Sequence, residues 1–181
     1  MPLCRKTSAV ALGSNLGDSL ALLSAAAQAL QHLALPASFR CSPLFRTAPV
    51  GGPADQPDFI NAVLLLDWQE SPEQLLEQLQ QLEAAAGRQR LIVNGPRSLD
   101  LDLLWCGTEQ RSSAFLELPH PRLAQRRFVL QPLAAVDPTL VPPGQALSVA
   151  ALLAQVEQLG EELPPQELAS PPGWPLQLGW D

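Results

Sequence analysis

The chain has 181 residues, of which 46% are hydrophobic and 16% charged, enough to bury the core of one globular domain. Its formal charge of −7 argues against general nucleic-acid binding, which needs a basic surface. No apolar run approaches the ~18 residues of a membrane span and no signal pattern opens the chain, so we expect a cytoplasmic protein without membrane or nucleic-acid partners. The three cysteines form no C-x-x-C motif, which favours reduced thiols.

The first predicted unit is a strand followed by a helix. Residues 7–12 are short, apolar and partly β-branched, which is typical of a strand. A turn rich in Gly, Ser and Asn follows, and Asp18 or Ser19 can cap a helix that runs to about His32. The turn lacks the lysine of a P-loop and the spacing of G-x-G-x-x-G, so we interpret it as mainly structural.

The next segment combines a loop with a strand that carries an unusual polar residue. Residues 38–46 are predicted to be extended, 47–53 form a Pro/Gly-rich loop, and 59–66 form an apolar strand. Phe59 and Asn61 share one face of that strand by parity. An isolated aromatic is usually core, but an Asn inside an apolar strand must hydrogen-bond something. A flat heterocycle, stacked on Phe59 and bonded by Asn61, would satisfy both.

An arginine cluster follows the second predicted helix, which begins at Ser71 and runs to about Ala86, where Gly87 stops it. The arginines are Arg88, Arg90 and Arg97. A solvated charge cluster is the ordinary explanation of such a group. Because no matching acidic partners lie beside these residues in the sequence, we favour a polyphosphate as their counter-ion.

The strand predicted at about residues 98–105 carries a pair of aspartates. Its leucines alternate with Asp100 and Asp102, so the leucines face a core and both carboxylates face the other way. Two residues of strand separate the carboxylates by roughly 6–7 Å, which is too far for a shared proton but suits hard cations such as Mg²⁺. The alternative is a solvated edge strand, but the neighbouring arginines favour a metal–phosphate site.

The last part of the chain is predicted to contain two helices. His120 lies between prolines with arginines close behind it, a setting suited to binding an anion. Residues 128–136 are predicted to form a short helix, and Ser148 caps another that runs to about Leu159.

The chain is predicted to consist of a single domain, residues 1–160, and an acidic, proline-rich tail, residues 161–181. Trp174 and Trp180 predict that part of this tail packs on the domain.

Several linked motifs give the chain a resemblance to the 6-hydroxymethyl-7,8-dihydropterin pyrophosphokinase (HPPK) family. They are G-S-N-L-G-D at 13–18, F-R-T-A-P-V-G at 45–51, Q-P-D-F-I-N-A at 56–62, G-R-Q-R at 87–90, G-P-R-S-L-D-L-D at 95–102, L-P-H-P-R at 118–122 and R-R-F at 126–128. The resemblance implies an α+β, ferredoxin-like sandwich, a largely antiparallel sheet with helices on its faces. It also implies transfer of pyrophosphate from ATP to the hydroxymethyl group of the reduced pterin in folate biosynthesis, releasing AMP. A pair of Mg²⁺ ions and a monomeric chain are expected.

The resemblance also implies residue roles. Asp100 and Asp102 would hold the Mg²⁺ ions and, with Arg88 and Arg97, would be catalytic. The residues implied for ATP binding are Leu76, Gln80, Arg88, Arg97, Leu103, His120 and Arg126. Those implied for pterin binding are Thr47, Val50, Phe59, Asn61 and Phe128.

Other functions fit parts of the same pattern. A metal-dependent phosphate-ester hydrolase or nucleotidyl transferase could use the same aspartate pair, but it would not need Phe59, Asn61 and Phe128. A non-enzymatic nucleotide-binding domain would be expected to lack a metal ligand, and both aspartates are present.

Overall fold

The computed structural model describes residues 5–87 and 93–178. Over these residues the fold is α+β, as predicted. The strands are β1 Lys6–Ser14, β2 Arg40–Cys41, β3 Leu44–Thr47, β4 Phe59–Trp68, β5 Asp100–Cys106, β6 Arg111–Ser112, β7 Glu117–Leu118 and β8 Gln166–Leu168. The helices are α1 Ser19–Leu33, α2 Pro72–Ala85, α3 Arg127–Val136 and α4 Val149–Leu159, with a 3₁₀ turn at Leu123–Gln125.

The main sheet is antiparallel, with strand order β5-β1-β4-β3-β8 and the short β2 also paired to β4. Strands β5, β1, β4 and β3 lie side by side in that order, and along the chain they alternate with helices α1 and α2 as in a ferredoxin-like sandwich. This arrangement confirms the predicted fold class. The small β6–β7 hairpin stands apart from this sheet. No helix in residues 5–87 and 93–178 is both long and apolar enough to cross a membrane.

Each face of the sheet buries its own core. On one face, α1 and α2 pack against alternate residues of β1, β4 and β5, including Leu12, Leu64 and Leu101. On the other face, α3 and α4 cover Val63 and Leu65 of β4, among others. Both faces of the central strands are therefore buried and apolar. Since side chains alternate between the two faces, the sequences of these strands are nearly continuous hydrophobic runs.

Helix caps explain why the helices begin where they do. Asp18 accepts a hydrogen bond from the Ala21 N–H at 3.1 Å and so caps α1, as predicted. Ser71 and Gln74 form a capping box at the start of α2, and Ser148 caps α4. The predicted helix at 128–136 is confirmed as α3. Its N-cap residue, Arg126, makes no side-chain hydrogen bond to the N–H groups of the first turn.

The edge strand β5 is held by a buried carboxylate from α2. Glu83 is buried, and its Oε1 accepts a hydrogen bond from the Leu101 N–H at 2.8 Å. An unpaired edge N–H is thereby satisfied, because β5 has a strand neighbour on one side only. This contact fixes the strand that carries the aspartate pair.

Residues 161–178 fold back onto the sheet. Strand β8 pairs with β3, and Trp174 is buried in the core beneath α1. The Trp174 Nε1–H donates to the Ser42 carbonyl oxygen at 2.9 Å. The predicted packing of Trp174 is confirmed, whereas Trp180 lies outside the described residues.

Candidate active site

A cleft of about 570 Å³ is lined by residues of β1, β3, β4, β5 and α3 and by the neighbouring loops. Its floor is a row of residues that strand pairing brings together: Asn61 of β4 opposes Gly13 of β1, and Gly13 opposes Asp100 of β5. A Cβ on Gly13 would lie 2.9 Å from the Asn61 Oδ1, so only glycine fits between its neighbours without a shift. The volume is typical of a site for a small organic ligand.

One end of the cleft is aromatic and contains the buried amide of Asn61. Phe59 and Phe128 both line this end. Asn61 is buried, and its Nδ2 donates a hydrogen bond to the Thr47 Oγ1 on the adjacent strand β3. The donated bond fixes the orientation of the amide and leaves the Oδ1 as its acceptor toward Gly13 and the cleft.

The other end holds the two aspartates, each with its own arginine. Arg97 Nη1 donates to Asp100 Oδ2 at 2.7 Å, and Arg126 Nη1 lies 3.8 Å from Asp102 Oδ2. The Arg126 guanidinium carbon is also 5.4 Å from the centre of the Phe128 ring, within the range of a cation–π contact. Arg126 therefore links the charged end of the cleft to its aromatic end.

The carboxyl of Asp102 has a raised pKa. Burial raises it most, the negative charge of Asp100 raises it further, and Arg126 only partly opposes these effects, so the pKa is about 6. A cation between the two carboxylates would relieve this unfavourable charge. Within residues 5–87 and 93–178 no group of three or more His, Cys, Asp and Glu side chains forms a metal site. Mg²⁺ is commonly held by one or two carboxylates together with substrate phosphates, and the aspartate pair offers that number of carboxylates.

His120 lines the cleft as a neutral imidazole. Its Nδ1 accepts a hydrogen bond from the Arg122 N–H at 3.1 Å, which leaves the Nε2–H as its free donor. Burial lowers its pKa most, and the positive charges of Arg126 and Arg122 lower it further, to about 4. A neutral donor among arginines suits the binding of an anion, because it adds a hydrogen bond without further cation repulsion.

We predict that the His120 imidazole titrates near pH 4 in the free protein, which NMR of its ring carbons can measure. Since the folded pKa is below the unfolded value, the unfolded chain binds the extra proton first. Stability should therefore fall as the pH drops from about 6.5 toward about 4, and His120→Gln should remove that part of the slope. The same variant assigns the signal against His32. A midpoint near the ordinary value would show that His120 is hydrated.

Three loops around the cleft are joined through the buried side chain of Asn15. Its Oδ1 accepts from the Arg97 N–H at 2.8 Å, and its Nδ2 donates to Gln56 Oε1 and to the Pro57 carbonyl oxygen, each at 3.0 Å. The Gln56 Nε2–H donates in turn to the Asn94 carbonyl oxygen at 3.0 Å. Asn15 therefore aligns the loop after β1, the loop before β4 and the backbone that presents Arg97.

Sequence comparison identifies the family. The model of 7,8-dihydro-6-hydroxymethylpterin-pyrophosphokinase (HPPK) matches residues 9–138. The chain belongs to the HPPK family.

Two bacterial relatives are similar over most of their length. This chain is 38% identical over 176 residues to the 2-amino-4-hydroxy-6-hydroxymethyldihydropteridine pyrophosphokinase of Synechocystis sp., covering 90% of this chain and 88% of the relative. It is 42% identical over 139 residues to the protein of the same name from Pseudomonas aeruginosa, covering 76% of this chain and 85% of the relative.

Solved structures share the fold. The chain aligns with Plasmodium falciparum HPPK-DHPS with a TM-score of 0.66 and 13% sequence identity, over 87% of this chain. It spans 44% of that solved chain, so less than half of it. At this identity the likeness shows the fold alone.

Most of the HPPK site residues predicted from the sequence line one cleft. They are Thr47, Val50, Phe59, Asn61, Arg97, Asp100, Asp102, His120, Arg126 and Phe128. Arg88 lies outside the described residues. Leu103 is buried in the core beneath α1 and α2, and Leu76 packs against that core. Gln80 is exposed on α2. These last three residues are not among those that line the cleft, and their roles stay predictions.

The structure adds cleft residues that sequence reasoning did not assign. Gly13, Asn94, Arg122 and Gln125 line the cleft, as do Glu161 and Glu162. The sequence does hold a signal for Gly13, because this residue begins the G-S-N-L-G-D motif directly after a predicted apolar strand. For the two glutamates there is no such signal: the tryptophans predict that part of the tail packs on the domain, but nothing in the sequence places Glu161 and Glu162 beside the cleft.

Proposed function

We propose that this chain transfers the pyrophosphoryl group of ATP to the hydroxymethyl group of 6-hydroxymethyl-7,8-dihydropterin and releases AMP, the pyrophosphokinase step of folate biosynthesis. The observation that carries the proposal is a single cleft with two chemically different ends. Two phenylalanines and a buried amide lie at one end, and two aspartates with arginines lie at the other. A pterin and a triphosphate placed in this cleft would meet between them.

At the aromatic end, Phe59 and Phe128 hold the pterin ring by stacking. Asn61 and the loop that contains Val50 bond its polar edge, and Thr47, the last residue of β3, orients the Asn61 amide. The buried Asn61 makes this end selective, because a ligand without hydrogen-bonding groups would leave the amide oxygen unpaired.

At the charged end, Arg97, His120 and Arg126 bind the triphosphate, and Asp100 and Asp102 hold a pair of Mg²⁺ ions. When bound, these ions supply neutralisation of the charge on the phosphate oxygens. In-line attack by the pterin hydroxyl on the β-phosphorus needs positioning more than covalent catalysis. The Arg126–Phe128 contact therefore matters, because it joins the group that binds phosphate to the ring that stacks on the acceptor.

We assign the reaction to residues 1–160, with residues 161–181 as an acidic C-terminal tail. Arg88 joins the catalytic set, and Leu76, Gln80 and Leu103 contact the nucleotide. The chain acts as a cytoplasmic monomer on small-molecule substrates, without nucleic-acid or membrane partners.

The direct test is to mix the purified protein with ATP, Mg²⁺ and the hydroxymethyl pterin and to identify the nucleotide product. AMP that forms only when pterin and metal are both present supports the proposal. ADP, or AMP made without pterin, would instead favour a phosphate-ester hydrolase or nucleotidyl transferase at the same aspartates. Parallel reactions with EDTA separate metal-dependent turnover from a contaminant.

Replacing Gly13 with alanine is expected to raise the KM for the pterin by about tenfold, with a smaller change in the KM for ATP. Gly13 does not have a positive φ, so its backbone tolerates alanine. The new Cβ would approach the Asn61 Oδ1 to 2.9 Å and displace the amide. Steady-state kinetics with each substrate varied in turn measure the difference. Equal KM values in the variant and the parent protein would show that Asn61 does not contact the pterin.

A further inference from the structure

The C-terminal strap, residues 161–178, contacts two sides of the cleft: the side that carries Phe128 (the first wall) and the side that carries Thr47 (the second wall). It begins just after α4, where Glu161 and Glu162 line the cleft. It then forms β8 and continues to Trp174, which is buried. None of these residues lies within the part of the chain that the HPPK family model matches.

At the first wall, the strap supplies the cap that α3 lacks. The N-cap residue Arg126 makes no side-chain capping bond. Glu162 Oε1 instead accepts from the Arg127 N–H at 3.4 Å, and the Glu162 carbonyl oxygen accepts from Arg127 Nη1 at 3.4 Å. The first N–H groups of a helix have no hydrogen-bond partner within the helix and carry partial positive charge. A carboxylate here therefore both accepts a hydrogen bond and interacts favourably with that charge.

The residues on either side of Arg127 are the ones that face the ligand. Arg126 contacts both Asp102 and the Phe128 ring, and Phe128 lines the aromatic end of the cleft. The side chain of Arg127 is held away from them by Glu157, whose Oε1 lies 3.1 Å from Arg127 Nη2. A contact that holds the backbone of Arg127 therefore also fixes the backbone position of Phe128, the next residue.

At the second wall, the strap braces the strand that leads to Thr47. In the β3–β8 pairing Gln166 opposes Arg46, the residue directly before Thr47. The Trp174 Nε1–H donates to the Ser42 carbonyl oxygen at 2.9 Å, which anchors the strap just before the start of the same strand. One short segment thus ties the Phe128 wall to the Thr47 wall.

We propose that Glu162 is a positioning residue for the pterin-binding wall, acting through the first turn of α3 to hold Phe128 against the ring stacked on Phe59. The proposal rests on the proposed function for the identity of the ligand. It requires no contact between Glu162 and the pterin itself.

The test compares Glu162→Ala, Glu162→Gln and Glu157→Ala with the parent protein. Glu162→Ala removes the cap and is expected to raise the KM for the pterin roughly fivefold to tenfold, with kcat within twofold. This factor corresponds to the stabilising free energy that a helix typically loses with its N-cap. The KM for ATP should change less, because Arg126 keeps its contact with Asp102. Glu162→Gln retains an acceptor oxygen and should recover most of the pterin affinity. Glu157→Ala is the matched control, since it removes the Arg127 side-chain ion pair but not the cap.

A second measurement decides the matter independently of catalysis. Amide hydrogen exchange of the first turn of α3 should be faster in Glu162→Ala than in Glu157→Ala, with circular dichroism showing that both are folded. Equal exchange in the two variants overturns the positioning role whatever the substrate is. Faster exchange with an unchanged pterin KM overturns it as well. Absence of pterin-dependent AMP from the parent protein overturns the proposed function instead, and the exchange result then still decides whether Glu162 holds α3.

Discussion

Replacing Asp102 with asparagine is expected to lower kcat by about a thousandfold while the protein stays folded. The carboxylate would hold a cation that neutralises charge on the transferring phosphoryl group, an effect worth several kcal/mol, and each ~1.4 kcal/mol is a tenfold change in rate. Asparagine keeps the size and one oxygen of the side chain but removes its charge. The measurement is AMP formation at saturating ATP, Mg²⁺ and pterin.

The same substitution is expected to stabilise the metal-free protein. In the fold, burial and the charge of Asp100 raise the pKa of Asp102 to about 6. The folded state then binds the proton more tightly than the unfolded chain, so this group lowers stability as the pH rises from about 4 to about 6, and the loss persists above that range. At pH 7.5 in EDTA, the free energy of unfolding of Asp102→Asn should exceed that of the parent by about 1–2 kcal/mol, less than the full pKa shift implies, because the Asp102 side chain is 36% exposed and solvent screens its charge.

Opposite signs for activity and stability separate a functional carboxylate from a structural one. Glu117→Gln provides a control, because Glu117 is exposed on the β6–β7 hairpin and is not among the residues that line the cleft. Near-normal turnover of Asp102→Asn would remove this residue from the metal site. Destabilisation in EDTA would show that the Asp102 charge supports the fold through its ion pair with Arg126.

The pairs of functional residues could be predicted from the sequence because they follow a local rule. Alternation along a strand puts Asp100 with Asp102, and Phe59 with Asn61, on one face, and both pairs line the cleft. The strand containing the aspartates was predicted to begin near residue 98, and β5 begins at Asp100. Such parity is unaffected by small errors in the ends of an element.

Local irregularities within strands could not be predicted from the sequence. The segment 38–46 was predicted as one extended stretch, but it forms two strands separated at Ser42 and Pro43, where the Ser42 hydroxyl accepts from the Val63 N–H at 3.0 Å. In β5 the register shifts beside Leu104, so that Leu104 and Trp105 both reach the core beneath α3 and α4. Neither feature has a marker in the alternating pattern.

Contacts between distant segments could not be predicted, because they depend on how the elements assemble. Glu83 near the end of α2 satisfies the backbone of Leu101 in β5, and Asn15 accepts from the backbone of Arg97. Glu162 caps a helix that starts 35 residues earlier in the chain. Each of these is an acidic or amide side chain whose partner is a backbone N–H. Any backbone N–H is chemically the same, and the sequence does not show which one is left without a partner.

Asn61→Leu is expected to lower kcat/KM for the pterin by about a hundredfold, mainly through KM, and to leave the KM for ATP within twofold. Leucine has a similar volume, so the strand and its packing should survive, while the hydrogen bonds to the ligand's polar edge are lost. A site built to hydrogen-bond its ligand loses far more than one methylene's worth of affinity when the polar group is removed, because the ligand's own groups are then desolvated without partners.

Thr47→Val separates the two roles of Asn61. The Thr47 hydroxyl accepts from Asn61 Nδ2, so valine leaves the amide in place but frees its orientation. We expect roughly a tenfold rise in the pterin KM for Thr47→Val, between the parent and Asn61→Leu, since one hydrogen bond rather than the whole amide is lost. In the double variant the effect of Thr47→Val should be nearly absent, because valine then has no amide to release. Full additivity of the two changes would show that Thr47 meets the ligand directly and does not act through Asn61.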